Sequence, residues 1–262
     1  MPPKLTGATR IHLIVGDPIA QTKSPEGLTR AFAERGIDAV CVPMQVAVAD
    51  IDAFMAAAKR ALNIDGIVAT VPHKFAALRH CDALSERART LAAVNAMRRE
   101  RDGSWTGDMT DGVALVAALR AAGCEPKGRR ALVVGAGGAG SAVVLALADA
   151  GAQVAVHDID AARREDLRAR LAPWAIAVGS ADPAGFDLVV NATPLGMAAG
   201  DPLPVAAERL DAGAFAADLV TKPVVTPFLA EARRRGAPIL TGEDMFVPQV
   251  GILADFLLSR AG

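Results

Sequence analysis

Short apolar runs alternate with longer amphipathic segments along this chain. Short runs rich in Val, Ile and Ala predict strands, and apolar residues recurring three and four positions apart predict helices. The predicted strands cover residues 10–15, 39–46, 65–70, 93–99, 131–134, 153–158, 175–178, 186–190, 214–220 and 238–240. The predicted helices cover residues 48–62, 75–93, 113–122, 163–171, 227–235 and 242–258, and one more starts near Ser24.

The alternation of strands and helices in the N-terminal part predicts a parallel sheet and therefore an α/β fold. The helix at 242–258 follows the last predicted strand and has no obvious place to pack among its sequence neighbours. We therefore expect it to return to the N-terminal part of the chain.

A glycine-rich turn joins the strand at 131–134 to an Ala- and Leu-rich helix. Gly135 allows the turn, Gly137 lets a pyrophosphate approach the backbone, and Gly140 lets the helix pack against the strand. The N–H groups at the start of the helix can hold the pyrophosphate. Asp158 ends the next strand about 20 residues later, where a carboxylate holds the adenosine ribose. These features predict a dinucleotide-binding domain, with a glycine turn of an unrelated α/β domain as the alternative.

Composition and charge narrow the class of protein. A net charge of −1 gives no electrostatic basis for binding nucleic acid or an anionic membrane. The three cysteines, Cys41, Cys81 and Cys124, have no metal-site spacing and suggest free thiols in a reducing compartment. The apolar run at 11–15 is short for a signal peptide, and glycines interrupt the uncharged stretch at 131–148. We expect a soluble cytoplasmic protein without a metal, either a monomer or a homodimer.

Polar side chains near predicted strand ends are the candidates for chemistry. Ser24 precedes a proline, so it fits a helix cap and a ligand contact equally well. Lys74 follows the third strand, at the edge where such sheets hold ligands, although a loop lysine is usually solvated. Asp111 lies near the start of a helix, where a capping role is the simplest interpretation.

Seven motifs, in order along almost the whole chain, resemble those of the shikimate dehydrogenase family. They are Gly16-Asp-Pro-Ile-Ala-Gln-Thr-Lys-Ser-Pro25, Thr70-Val-Pro-His-Lys74, Ala93-Val-Asn95, Gly107-Asp-Met-Thr-Asp-Gly112, Gly135-Ala-Gly-Gly-Ala139, Asn191-Ala-Thr-Pro-Leu-Gly-Met197 and Thr226-Pro-Phe-Leu229. The resemblance implies two domains. Residues 1–110 and 242–262 would form a substrate-binding catalytic domain with a mainly parallel sheet, and residues 111–241 a doubly wound Rossmann domain.

The resemblance also implies a reaction and its residues. The reaction is reversible hydride transfer between a nicotinamide and a ring hydroxyl of shikimate, quinate or a related cyclic hydroxy acid, within aromatic amino acid biosynthesis. Lys74 and Asp111 would handle the proton, as a pair or with Lys74 alone as the base. Substrate contacts would come from Thr22, Ser24, Thr70, Asn95, Thr221 and Gln249. Cofactor contacts would come from Gly135, Ala136, Gly137, Gly138, Ala139, Gly140, Asp158, Arg163, Asn191, Thr193, Pro194, Met197, Val220, Gly242 and Met245.

The cofactor side departs from the family pattern after the second strand of the dinucleotide unit. Asp158 and Ile159 stand where many members have Asn-Arg. A carboxylate there favours two ribose hydroxyls and repels a phosphate, which predicts NAD over NADP. Arg163 is the residue that could reverse this preference by contacting a 2′-phosphate.

The substrate side departs at four positions. Val68 and Met109 each replace an Asn, Ala96 replaces a Thr, and Thr221 replaces a Tyr. The loss of polar groups predicts altered specificity, because a site that pairs a substrate hydroxyl discriminates strongly. The alternatives to a quinate or shikimate dehydrogenase are an amino-shikimate dehydrogenase of secondary metabolism and a non-catalytic, NAD-binding regulatory protein.

Overall fold

A computed structural model describes residues 5–20 and 22–259. The chain divides into two units, Met1–Thr110 with Val250–Gly262, and Asp111–Gln249. The sequence-based division placed the second boundary at residue 242, where the C-terminal helix Gly242–Leu258 begins. The division lies inside that helix, so its last residues belong to the first unit.

The first unit contains a six-stranded mixed sheet. Its strands are β1 (Arg10–Gly16), β2 (Ala39–Gln45), β3 (Ile64–Ala69), β4 (Ala83–Leu84), β5 (Ala96–Arg99) and β6 (Trp105–Asp108). The strand order is β2-β1-β3-β5-β6-β4. Strands β1, β2 and β3 are parallel, as predicted, and β5 lies antiparallel to both β3 and β6.

The helices of the first unit are α1 (Ser24–Glu34), α2 (Ile51–Arg60), α3 (Lys74–Leu78) and α4 (Glu86–Leu91). A single 3₁₀ turn at Val48–Asp50 precedes α2, which ends two residues before its predicted end. Leu253 and Leu257 of the C-terminal helix pack with Ile14, Phe32 and Val68 in one buried cluster. The C-terminal helix therefore returns to the N-terminal sheet, as the sequence predicted.

The prediction of one continuous helix at 75–93 is wrong. It is replaced by α3, β4 and α4, because residues 82–85 pair with β6 instead. The N–H of Asp82 donates to the carbonyl of Trp105 at 2.7 Å, and the N–H of Ser85 donates to that of Gly107 at 2.9 Å. The hydroxyl of Ser85 then accepts the N–H of Ala88 at 3.2 Å and caps a new helix.

The second unit contains a parallel six-stranded sheet. Its strands are β7 (Arg130–Val134), β8 (Gln153–His157), β9 (Ala177–Val178), β10 (Leu188–Asn191), β11 (Phe215–Asp218) and β12 (Ile239–Leu240). The order β12-β11-β10-β7-β8-β9 is that of a doubly wound dinucleotide-binding sheet. The strand order changes direction at β7, and in sheets of this kind ligands bind at such a switch point, outside the carboxyl ends of the strands.

The helices of the second unit are α5 (Asp111–Ala121), α6 (Gly138–Asp149), α7 (Ala161–Arg170) and α8 (Pro227–Arg234), and α9 (Gly242–Leu258) runs from it into the first unit. Helix α7 begins two residues earlier than predicted, since the side chain of Asp160 accepts the N–H of Arg163 at 3.1 Å and caps it. Within the described ranges, no helix combines the length and apolar character needed to cross a membrane.

Candidate active site

The first part of the site lies at the carboxyl ends of β1 and β3. The N–H of Thr70 donates to the carbonyl of Val15 at 2.9 Å, and the N–H of Asp17 donates to that of Val71 at 3.0 Å. A Cβ on Gly16 would lie 2.5 Å from the Thr70 methyl group. The loops after these two strands are therefore held side by side, which brings Thr70 against the start of the loop that leads to Thr22 and Ser24.

Lys74 is the first residue of α3, and it is 9% exposed. The buried His73 before it donates from Nε2 to the carbonyl of Val46 at 2.7 Å, and its N–H donates to the carbonyl of Thr70 at 2.7 Å. On the other side, the carbonyl of Lys74 accepts the N–H of Val94 at 2.9 Å. The backbone that carries the amine is thus fixed between two segments, and a neutral lysine amine can accept a hydroxyl proton and return it.

Asn95 follows Val94, whose N–H donates to the carbonyl of Lys74 in the first unit. Its carbonyl accepts the N–H of Ala69 at 2.8 Å, and its side-chain oxygen accepts the N–H of Thr110 at 2.8 Å. Its side-chain amide donates to the hydroxyl of Thr110 at 3.0 Å. The predicted substrate residue therefore also fixes the segment that leads into Asp111.

Thr22 lies in the segment that connects β1 to α1, and Ser24 begins that helix. The N–H of the half-buried Thr22 donates to the carbonyl of Ile19 at 3.0 Å. Ser24 is 8% exposed and is the first residue of α1. The N-cap residue is therefore Lys23, and not Ser24 as the sequence suggested. The cap interpretation of Ser24 is therefore wrong by one residue.

Asp111 opens the second unit as the first residue of α5 and is 3% exposed. The amide of Gln249 donates to Oδ1 of Asp111 at 3.0 Å, so two predicted site residues meet here. A Cβ on Gly112 would lie only 2.0 Å from the carbonyl oxygen of Ala142 in α6. This glycine therefore lets α5 contact the backbone of α6, and it sets Asp111 relative to the glycine-rich turn.

The glycine-rich turn has the geometry that its spacing predicts. Gly135 has a φ of +106°, and a Cβ there would lie 2.8 Å from the carbonyl oxygen of Ala192. A Cβ on Gly140 would lie 2.0 Å from the carbonyl oxygen of Gly135, so only glycine permits this contact between helix and turn. A Cβ on Gly137 would meet nothing within 4 Å. With Gly138 and Ala139 it opens α6, and N–H groups at this helix start suit a pyrophosphate.

Asp158 directly follows β8 and is 7% exposed. Its Oδ2 accepts the N–H of Ala136 at 2.7 Å, and its Oδ1 accepts the N–H of Asp160 at 2.9 Å. The guanidinium of Arg163 lies 3.8 Å from this carboxylate and 3.7 Å from that of Asp160, and its side chain is 52% exposed. Asp158 therefore ties the glycine-rich turn to the start of α7.

The loop after β10 is organised by Asn191, which is 1% exposed. Its side-chain oxygen accepts both the N–H and the hydroxyl of Thr193, at 3.0 and 2.7 Å. Its amide donates to the carbonyl of Leu195 at 3.0 Å. Pro194 and Met197 lie exposed on this loop, with Met197 51% exposed.

The loop after β11 meets the start of α9. A Cβ on Gly242 would lie 2.5 Å from the carbonyl oxygen of Val220, so the two backbones are in contact. Thr221 follows Val220 and is half-buried, and Met245 lies one turn into α9 and is 6% exposed. The remaining predicted residues of the second unit therefore lie on adjoining segments.

Asp218, the last residue of β11, was missed in the sequence. It is fully buried, and it accepts hydrogen bonds from Asn191, Val220 and Thr226. Burial raises the pKa of Asp218 to about 6, and the hydrogen bonds from Thr226, Val220 and Asn191 oppose the rise. The available signal was a lone acid within the apolar run predicted as the strand at 214–220.

Comparison with known proteins identifies the family. The model of the shikimate dehydrogenase substrate binding domain matches residues 14–97. The shikimate dehydrogenase (NADP(+)) of Rubrobacter xylanophilus is 40% identical over 256 residues, which cover 94% of this chain and 90% of that protein. The chain belongs to the shikimate dehydrogenase family.

Two solved structures resemble this chain over nearly its whole length. The shikimate 5-dehydrogenase of Thermus thermophilus, in complex with NADP(H) and shikimate, is 31% identical with a TM-score of 0.86, and the match covers 95% of this chain and 94% of that chain. The quinate dehydrogenase of Corynebacterium glutamicum, in complex with NAD, is 27% identical with a TM-score of 0.84, covering 95% and 94%. These likenesses support an oxidoreductase of the shikimate and quinate type.

The prediction of NAD as the preferred cofactor is contradicted. Four of the similar relatives, including that of Rubrobacter xylanophilus, are named as NADP(+) enzymes. The prediction rested on Asp158 as a ribose ligand. Because both of its carboxylate oxygens accept main-chain N–H groups, an acid at this position has a structural role that its place in the sequence does not reveal.

Proposed function

We propose that this protein is an NADP-dependent dehydrogenase that transfers a hydride reversibly between a ring hydroxyl carbon of shikimate and the nicotinamide. The observation that carries the proposal is the 40% identity to a shikimate dehydrogenase (NADP(+)) along 94% of the chain. The presence of both Lys74 and Asp111 supports catalysis over a purely regulatory role.

Lys74 and Asp111 are the proton-handling pair in this proposal. Oxidation of a secondary alcohol by hydride loss requires that the hydroxyl proton leave as well, and a lysine amine within reach can take it. In the reductive direction, Lys74 returns the proton to the carbonyl oxygen.

Hydroxyl and amide groups hold the acid substrate. We assign the substrate carboxylate to the hydroxyls of Thr22 and Ser24, and a further substrate contact to Thr70, which follows β3. We assign the ring hydroxyls to Asn95 and Gln249, with Thr221 in the position of the family tyrosine. Their donors and acceptors match a carboxylate and neutral hydroxyls.

The second unit fits a dinucleotide, because the close contacts at Gly135 and Gly140 shape the turn, and the open space at Gly137 leaves the backbone accessible to a pyrophosphate. When bound, NADP supplies the nicotinamide carbon that accepts or donates the hydride. The N–H groups of residues 137–139 bind its pyrophosphate. Arg163 binds its 2′-phosphate, since its distances of 3.7 and 3.8 Å to carboxylates are weak ion pairs that a phosphate can replace.

Altered specificity within the cyclic acids remains part of the proposal. Val68 and Ala96 lie in the buried cluster of the first unit, and Met109 is 1% exposed. Three positions that are polar in the family pattern are therefore apolar and buried. The protein is expected to rely on fewer ring-hydroxyl contacts, which lowers its discrimination between shikimate and quinate.

Initial rates of nucleotide reduction test the proposal, with shikimate and quinate each paired with NADP and NAD. The expected result is turnover of shikimate with NADP and a lower kcat/KM with NAD. A higher kcat/KM with NAD would contradict the cofactor assignment. Calorimetric NADP binding without turnover of either acid would contradict the reaction and favour a regulatory protein.

A further inference from the structure

A buried carboxylate connects two loops at the carboxyl edge of the second unit. Oδ1 of Asp218 accepts the side-chain amide of Asn191 at 3.0 Å and the N–H of Val220 at 2.9 Å. Oδ2 accepts the hydroxyl of Thr226 at 2.6 Å. These partners lie at the end of β10, in the loop after β11, and at the N-cap of α8.

The first of these bonds fixes the orientation of the Asn191 amide. An ionised carboxylate only accepts hydrogen bonds, so it requires the amide nitrogen of Asn191 to face it. The amide oxygen is then directed to Thr193, where it accepts the N–H and the hydroxyl. The second amide hydrogen donates to the carbonyl of Leu195. Asp218 therefore determines the hydrogen bonds that shape residues 191–197.

The other two bonds fix the segment between β11 and α8. Val220 is held by its N–H two residues after Asp218, and its carbonyl faces Gly242. Thr226 donates its hydroxyl to Asp218 and accepts the N–H of Leu229 at 3.3 Å, so it links the carboxylate to the start of α8. Both ends of residues 219–226 are thus tied to one side chain.

The sheet order shows which part of a dinucleotide these loops would meet. The glycine-rich turn follows β7, and Asp158 follows β8 on one side of it. Strands β10 and β11 lie on the other side. A dinucleotide with its pyrophosphate on the turn and its adenosine toward β8 extends its nicotinamide half over β10 and β11.

We propose that Asp218 is the positioning residue for the nicotinamide half of the cofactor, acting through the loops 191–197 and 219–226. The inference rests on the proposed function, since it assumes that the second unit binds NADP. Asp218 is fully buried, so it acts through Asn191, Val220 and Thr226 and does not touch the nucleotide itself.

The test is the NADP affinity of Asp218→Asn, measured by titration calorimetry on the full chain. An NH₂ group in place of Oδ1 faces two N–H donors, and one in place of Oδ2 reverses the hydrogen bond to the Thr226 hydroxyl, so at least one of the three bonds is changed. We expect NADP to bind about tenfold more weakly, while KM for shikimate at saturating NADP changes less than about twofold. If Asp218 had a purely structural role, the substitution would change both the NADP affinity and the KM for shikimate, or neither of them.

Asp187→Asn is the matched control. Asp187 accepts the N–H of Arg130 at 2.8 Å at the opposite end of β10 and β7. The same substitution there is expected to leave NADP affinity unchanged. Unchanged NADP affinity in a folded Asp218→Asn would overturn the inference, whereas failure of the wild-type protein to bind NADP would overturn the proposed function instead.

A second pair of variants covers the case in which Asp218→Asn does not fold. Thr226→Ser keeps the hydroxyl that donates to Asp218, and Thr226→Val removes it with little change in volume. We expect Thr226→Ser to bind NADP like the wild type and Thr226→Val to bind severalfold more weakly. Equal affinities of the two folded variants would contradict the inference.

Discussion

The two units rely to different degrees on side chains to fix their functional groups. In the first unit, main-chain hydrogen bonds between neighbouring segments hold the backbone of Lys74 and Thr70, with side-chain bonds from His73 and Asn95 beside them. In the second unit, side chains hold the loops, because the side-chain oxygens of Asp158, Asn191 and Asp218 accept hydrogen bonds from N–H or O–H groups of adjacent segments. We therefore expect substitutions at Lys74 to act on the chemistry, and substitutions of Asp158, Asn191 or Asp218 to change the shape of the cofactor site.

The largest expected effect is on turnover, in Lys74→Ala. General acid–base catalysis contributes about 10²- to 10⁴-fold, so we expect kcat to fall by that factor. NADP affinity should change less than about twofold, because Lys74 belongs to the first unit. Initial rates and calorimetry measure the two quantities, with Lys127→Ala, between α5 and β7, as a control lysine. Unchanged turnover would remove Lys74 from the mechanism and support the regulatory alternative.

The second effect is on the pH dependence of stability, through Asp218. Burial raises its pKa from 3.8 to about 6, so the folded chain binds this proton more tightly than the unfolded chain. Its contribution to the free energy of unfolding is therefore highest below pH 4 and falls as the pH rises to about 6 and beyond, by about 3 kcal/mol at most.

Urea unfolding of the wild type and Asp218→Asn between pH 4 and 7 measures this contribution. The variant has no ionisable group at position 218, so only the wild type loses this contribution as the pH rises. The difference in unfolding free energy, wild type minus variant, should therefore decrease as the pH rises. A difference that is constant over this range, or that increases, would contradict the buried, ionisable state of Asp218.

A third effect concerns the contact between α5 and α6. Gly112→Ala would place a Cβ 2.0 Å from the carbonyl oxygen of Ala142, so the helices must separate. We expect a loss of about 1–3 kcal/mol in stability and a lower kcat, because Asp111 moves with α5. Thermal unfolding measures the loss of stability. Gly251→Ala is the control, since its Cβ meets nothing within 4 Å, and it should be neutral or stabilising.

The smallest effect separates the two nucleotides. In Arg163→Gln we expect KM for NADP to rise about tenfold while KM for NAD stays within about twofold, because only NADP carries the 2′-phosphate. Arg168→Gln, which is on the same helix and paired with Glu165 at 3.0 Å, should change neither value. Equal changes for the two nucleotides would show that Arg163 does not contact the 2′-phosphate.

The sequence predicted those parts of the fold that depend on local patterns of glycine and apolar residues. Glycine spacing predicted a dinucleotide-binding unit, and the family resemblance implied the doubly wound sheet that the second unit has. The packing of residues 253–257 confirms the return of the last helix. The helix at 75–93 failed because the pairing of Asp82 and Ser85 with β6 is a tertiary contact that helical periodicity does not contain.

The site was harder to predict where one residue type serves two purposes. Asp158 occupies the position of a ribose ligand, but its hydrogen bonds to Ala136 and Asp160 form only in three dimensions. Asp218 gives no spacing signal, since its partners Asn191 and Thr226 lie at no fixed or recognisable spacing from it. Polar residues that shape loops are therefore less visible in the sequence than those that belong to motifs.

Transfer of an isotopic label tests the proposed reaction most directly. Shikimate that carries deuterium at the oxidised ring carbon is incubated with the protein and NADP, and the reduced nucleotide is examined by mass spectrometry. Direct hydride transfer predicts that the deuterium is found in NADPH, and that unlabelled shikimate in heavy water gives unlabelled NADPH. Reduced nucleotide without the label from the ring carbon would contradict the proposed reaction.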